Sequence, residues 1–283
     1  MPILTNQQIS NYYEQYKDVE VTFTKEVIRA TGLLTKMIYL KGLGYQWPCI
    51  IYSCSMSGAK VIASITPEVY EQIREANNLV SLRFAFEDAD KSDPVLFFVS
   101  AKVNGYNPYD KEKPNLNFVS LEFTKRPAND LIAILGQILD AATNSKKRSE
   151  ERITLDVQTV KKLGLKNKGA KLFVQQVPRN CIVRDVSFSG AKVIIAGVAK
   201  FLIDKEVTLQ LETVNNNVFS IKGESVRYEA VEGRKDLAAI AVKYHEDKVP
   251  MEYKMLINDY LKQLKKKHIP SGDTDKEQNK EHN

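Results

Sequence analysis

Two arginines stand four residues apart in the charged string Lys147-Arg148-Ser149-Glu150-Glu151-Arg152. A guanidinium carries five N–H donors in a planar fork and stays charged at any biological pH. The fork matches phosphate oxygens, and it also matches the O6 and N7 acceptors of guanine. Further along lies Asp185-Val186-Ser187-Phe188-Ser189-Gly190, an Asp-x-Ser-x-x-Gly pattern. The Asp185 carboxylate can accept from the N–H donors on the opposite edge of guanine. Ser187 is two residues on, so in an extended segment it projects to the same side. Gly190 would let the backbone turn tightly or approach a ligand closely.

Each string alone has a plainer reading. The first could be a solvated linker whose glutamates neutralise its arginines. The second could be an ordinary turn rich in Asp, Ser and Gly. Their conjunction carries more weight. The chain has ten arginines and one pair at i, i+4, and that pair precedes its one Asp-x-Ser-x-x-Gly. Lys147, just before the pair, could add a phosphate contact or simply keep its charge in water.

Composition narrows the classes. The chain has 283 residues, 43% hydrophobic and 27% charged, which suits two globular domains. No apolar run approaches the roughly 20 residues that span a bilayer, and no signal-peptide pattern opens the sequence. Cys49, Cys54 and Cys181 are too few and scattered for a disulfide framework or a zinc site, so a reducing cytoplasm is expected. The net charge of +6 favours anionic partners without selecting one. His245, His268 and His282 are the only histidines, and none has a metal-ligand or triad neighbour in sequence. Enzymatic chemistry and a metal or other cofactor are therefore not expected.

The elements that must position these residues come in two copies. Ser53-Cys54-Ser55-Met56-Ser57-Gly58-Ala59-Lys60-Val61-Ile62 aligns with Asp185-Val186-Ser187-Phe188-Ser189-Gly190-Ala191-Lys192-Val193-Ile194. Each half later has an alternating strand, around Phe118 and around Ile240, that leads through a proline into an amphipathic helix. Pro127 is expected in the first turn of one helix, with Leu131, Ile134, Leu135, Ile138 and Leu139 as its stripe. Pro250 opens the other, with Tyr253, Leu256, Ile257, Tyr260, Leu261 and Leu264, and Lys265, Lys266 and Lys267 close it. Asn215-Asn216-Asn217 and Glu232-Gly233-Arg234 read as turns between strands. Thr66-Pro67-Glu68 caps an inserted helical turn, and Ile9, Tyr12, Tyr13 and Tyr16 mark an N-terminal helix.

From about Arg148 to Lys267 the chain resembles a PilZ domain, on its two motifs and on the late strands Gly223-Glu224-Ser225-Val226-Arg227 and Ala239-Ile240-Ala241-Val242-Lys243-Tyr244. The resemblance implies a mainly β fold: two small six-stranded antiparallel barrels, each followed by an amphipathic α-helix. It implies cyclic di-GMP as ligand, bound by Arg148 and Arg152 on phosphate and the guanine Hoogsteen edge. Asp185 and Ser187 would then hydrogen-bond guanine, with Gly190 as backbone. The first half resembles the same fold with the chemistry removed, since Ser53 replaces Asp185 and no arginine pair precedes it. This is similar to the two-domain PilZ receptors of spirochaetes. The expected organisation is a degenerate domain over 1–142, a linker over 143–152, a PilZ domain over 153–268 and a disordered tail over 269–283. The implied function is that of a cytoplasmic effector whose halves rearrange on binding, acting on motility or gene expression. An unidentified protein partner is expected, through the first half. The rival readings are a nucleic-acid-binding regulator and a protein-only adaptor.

Overall fold

A computed structural model describes residues 4–87, 93–197 and 199–267, without the side chains of Lys235 and residues 265–267. The expected tail over 269–283 lies outside the described residues. The chain divides into two compact units, Met1–Lys147 with Pro250–Met255 and Arg148–Val249 with Leu256–Asn283.

The first unit begins with α1 (Asn6–Tyr16), whose capping box joins Thr5 and Gln8. There follow β1 (Val21–Thr22), α2 (Lys25–Thr31), β2 (Tyr39–Gly42), β3 (Tyr45–Cys54), β4 (Gly58–Ser64), α3 (Pro67–Glu75), β5 (Leu79–Phe86), β6 (Val95–Pro108), β7 (Leu116–Phe123) and α4 (Asn129–Lys147). Strands β3-β2-β5-β6-β7-β4 pair antiparallel in that order, and β4 returns to β3 to close a six-stranded barrel. Alternation aims the side chains: Ala59, Val61 and Ala63 of β4 are buried, whereas Lys60 and Ile62 between them are not. Ile9, Tyr12 and Tyr16 of α1 are buried with Leu131, Leu135 and Ile138 of α4 in one core. A Cβ on Gly136 of α4 would lie 2.4 Å from the Tyr12 ring, so the closeness of these helices requires glycine there.

The second unit repeats the plan with β8 (Ile153–Thr154), α5 (Val157–Lys162), β9 (Gly169–Val174), β10 (Val177–Val186), β11 (Gly190–Ala196), β12 (Lys205–Glu212), β13 (Val218–Val231) and β14 (Arg234–Tyr244). Its barrel runs β10-β9-β12-β13-β14-β11 and closes on β10. Both expected turns are present, with Glu212 opposite Val218 and Val231 opposite Arg234. Helix α6 (Met251–Lys267) follows Pro250, and within this unit the Tyr260 hydroxyl lies 3.2 Å from the Thr159 hydroxyl.

Two details differ from expectation. Pro127 precedes the first turn of α4 rather than entering it: the helix starts at Asn129, and its opening bond runs from the Ile132 N–H to the Ala128 carbonyl. Helix α4 also continues through the first five residues expected in the linker, ending at Lys147. Ser145 supports this by donating to the Ala142 carbonyl, and Lys146 and Lys147 suit the negative end of the helix dipole. The longest strands are β6 and β13, each 14 residues. All three cysteines are buried and free. Burial pushes the thiols of Cys49 and Cys181 up to about 12, so they behave as small apolar groups. No described helix is long and apolar enough to cross a membrane.

Candidate functional site

The arginine pair reaches the barrel through the shortest strand in this unit. β8 pairs with the end of β10, placing Thr154 opposite Asp185 and Ile153 opposite Val186. Arg152 therefore enters beside Asp185. Its Nη1 lies 2.6 Å from Asp185 Oδ1, with side chains 40% and 14% exposed. A β-bulge between Val183 and Asp185 puts Arg184 and Asp185 together against one residue of β11.

Arg148 is placed differently. It opens a turn closed by the Glu151 N–H on its carbonyl, and its Nη1 is buried with no hydrogen-bond partner. A buried guanidinium N–H without an acceptor is costly, and an anion would satisfy it. Lys147 is exposed at the end of α4. Sequence reasoning missed Ser189. Its hydroxyl is 2.8 Å from the Ser149 carbonyl and 3.1 Å from Glu150 Oε1, and its N–H donates to the same carbonyl. Ser189 thus pins the arginine-bearing segment to the 187–190 turn. Its place inside the second motif was the available signal.

Ser187 does not lie in an extended segment, as the same-side argument expects, and Gly190 runs close against a neighbouring strand. Ser187 is fully buried, and its hydroxyl accepts from the N–H groups of Ser189 at 3.3 Å and Gly190 at 3.1 Å. The strand ends at Val186 and Ser187 already belongs to the turn, so the period of two no longer applies. The first barrel has the same arrangement: Ser55 accepts from the N–H groups of Ser57 at 3.2 Å and Gly58 at 3.1 Å. A Cβ on Gly190 would lie 2.3 Å from the Val242 carbonyl oxygen, and one on Gly58 would lie 2.5 Å from that of Leu121. Neighbouring strands demand both glycines.

The first barrel has no counterpart of the aspartate or of the second arginine, and the position of Arg148 holds Tyr16. Residues 20–64 and 152–196 correspond without insertion, with identical strand registers and the same bulge. Ser53 occupies the position of Asp185, and Glu20 occupies that of Arg152. There the Ser53 hydroxyl donates to the Glu20 carboxylate. The cation and its acid are replaced by an acid and a hydroxyl, which suits no anion. Among the described residues no group of three or more His, Cys, Asp or Glu could hold a metal ion.

Comparison with known proteins agrees with this division. Residues 7–142 match the PilZN3 domain and residues 146–263 match the PilZ domain. A cyclic di-GMP binding protein of Treponema denticola is 42% identical over 94% of this chain and 85% of its own length. Among solved structures, the Borreliella burgdorferi PlzA protein in complex with c-di-GMP is 26% identical, with a TM-score of 0.42 over 91% of this chain and 99% of that one. YcgR of Escherichia coli in complex with c-di-GMP is 10% identical, with a TM-score of 0.29 over 86% of this chain and 88% of that one. The chain belongs to the PilZ-domain family, in the form where a PilZN3 domain precedes the PilZ domain.

Proposed function

We propose that the second barrel binds cyclic di-GMP through Arg148, Arg152 and Asp185, and that the protein is a receptor rather than an enzyme. The observation that carries this reading is the placement of the two arginines. Arg152 is held at the acid that would read guanine, and the buried Nη1 of Arg148 lacks an acceptor. A phosphodiester entering there takes over the fork of Arg152 and satisfies Arg148. Asp185 is then released to accept from the guanine N–H groups. Ser187, Ser189 and Gly190 serve the site by shaping the turn and holding residues 149 and 150 against it. The name of the Treponema denticola relative supports the choice of ligand.

Calorimetric titration of the full chain with cyclic di-GMP tests this, with GTP and cyclic AMP as controls. Each charge-assisted contact is worth about 1.5–3 kcal/mol, so Arg148→Ala and Arg152→Ala should each weaken binding roughly 10- to 100-fold. Neither should lower the melting temperature of the free protein appreciably. Arg148 Nη1 has no hydrogen bond to lose, and the Arg152 pair is partly solvated. Wild-type affinity in both variants overturns the assignment.

As a cytoplasmic effector, the protein would pass the signal on through the 148–152 segment, whose change of partners on ligand binding alters the arrangement of its halves. Such a switch requires different ligand affinity for the two arrangements. A change in small-angle scattering on titration is its expected signature, with motility or gene expression as the output to follow.

A further inference from the structure

The charged face around Asp185 extends beyond the two motifs. Lys192 of β11 lies directly opposite Asp185, and Ala241 of β14 lies on the other side of Lys192. Residues opposed in an antiparallel pair have Cβ atoms about 5 Å apart, within reach of a lysine. Lys192 nevertheless turns the other way. Its Nζ lies 2.6 Å from Glu229 Oε2 on β13, one strand beyond β14. Its side chain is 18% exposed. The crossing is open because β14 carries Ala239 and Ala241 there, facing Ile194 and Lys192.

The first barrel has the same lysine in the same register. Lys60 lies opposite Ser53, and the strand beyond it carries Ser120 and Phe118 where β14 has Ala241 and Ala239. Asn107, paired with Phe118, stands at the position of Glu229, which is paired with Ala239. So the lysine is common to both folds, whereas the carboxylate opposite it and the carboxylate that holds it occur together in one barrel and are absent together from the other.

We propose that Glu229 is a positioning residue that draws the Lys192 ammonium away from Asp185, leaving that carboxylate open to guanine. This rests on the cyclic di-GMP reading. The need arises only when ligand is bound. Arg152 neutralises Asp185 in the free protein, but phosphate competes for Arg152. An unheld Lys192 would then close on Asp185 and occupy the acceptor that guanine requires.

The test turns on sign. Glu229→Asn, which installs the first barrel's residue, removes a negative charge and by bulk electrostatics alone would tighten binding of an anion. The proposal expects the reverse, a weakening of roughly threefold, the size of a partly exposed ion pair set against the ligand. Lys192→Met alone should leave affinity near wild type. Lys192→Met combined with Glu229→Asn should restore what Glu229→Asn lost, a rescue that general loss of structure would not give. Titration of the three full-length variants with cyclic di-GMP decides it. Tighter or unchanged binding in Glu229→Asn, or absence of rescue, overturns the positioning role alone. A large loss in Lys192→Met also overturns it, by making the lysine a ligand contact. A wild-type protein that binds no cyclic di-GMP overturns the receptor reading as well.

Discussion

The turn after β3 and the turn after β10 are built alike and differ at the residue that begins them. In both, a buried serine hydroxyl accepts from two backbone N–H groups, and a glycine passes under a neighbouring carbonyl. In one, Ser53 meets Glu20, and in the other Asp185 meets Arg152. Much of Asp-x-Ser-x-x-Gly is therefore the requirement of a strand-to-strand turn in this barrel. The two barrels differ in its first residue and in the residue that β8 brings beside it. The first repeat therefore serves as an internal control, separating residues that shape the turn from those proposed to bind ligand.

The largest effects should be equal in the two halves. Gly58→Ala and Gly190→Ala each force a methyl into a carbonyl oxygen, and each should cost about 3 kcal/mol in denaturant unfolding. A silent Gly58→Ala would break the equivalence of the turns. Next comes the residue that distinguishes them. Asp185→Ser, the first barrel's choice, should weaken cyclic di-GMP binding about 10- to 100-fold through loss of a charged acceptor. The reciprocal Ser53→Asp puts a buried carboxylate beside Glu20. Like charge raises its pKa above the unfolded value, so the variant should be less stable than wild type at pH 7 and approach it as pH falls. Adding Glu20→Arg should remove that pH dependence, as thermal melts across pH would show.

A smaller, again symmetric loss is expected for Ser55→Ala and Ser187→Ala. Each removes the hydroxyl that accepts from the glycine N–H of the turn, at about 1–2 kcal/mol, and the Ser189 N–H keeps the Ser149 carbonyl as a second acceptor. Unequal losses would mean that Ser187 does more than shape its turn. The smallest difference concerns two helix caps at corresponding positions. Thr24 caps α2, and Asp156 caps α5 by accepting from Thr159 N–H at 2.6 Å. The Thr159 backbone bond holds the Asp156 carboxyl below its usual range. Its contribution is therefore present above the unfolded pKa and fades as pH falls through the folded one. The stability gap between wild type and Asp156→Thr should narrow between pH 7 and pH 3, with no such change for Thr24→Ser.

The duplication, the two helical stripes and both hairpins were legible because each is a local pattern with a fixed period or turn chemistry. The Ser53 and Asp185 contrast was legible too, from one aligned string. Extending that alignment back along β1 and β8 would have exposed Glu20 against Arg152. The part that Ser187 plays inside the turn was not legible, because a motif names residues without saying which hydrogen bonds they make. Glu229 carried no signal of its own, being one glutamate in a long strand.

The internal repeat, the two helical stripes and the two motifs, with the family they resemble, led from the chain alone to two β barrels and to an anion-binding site expected in the second. Only the tertiary structure decided which side chains meet. Pairing of β8 with β10 seats Arg152 on Asp185, and the registers of β11, β14 and β13 send Lys192 to Glu229. Register and bulges set those meetings across residues distant in sequence, and a shift of one position would turn every partner to the opposite face.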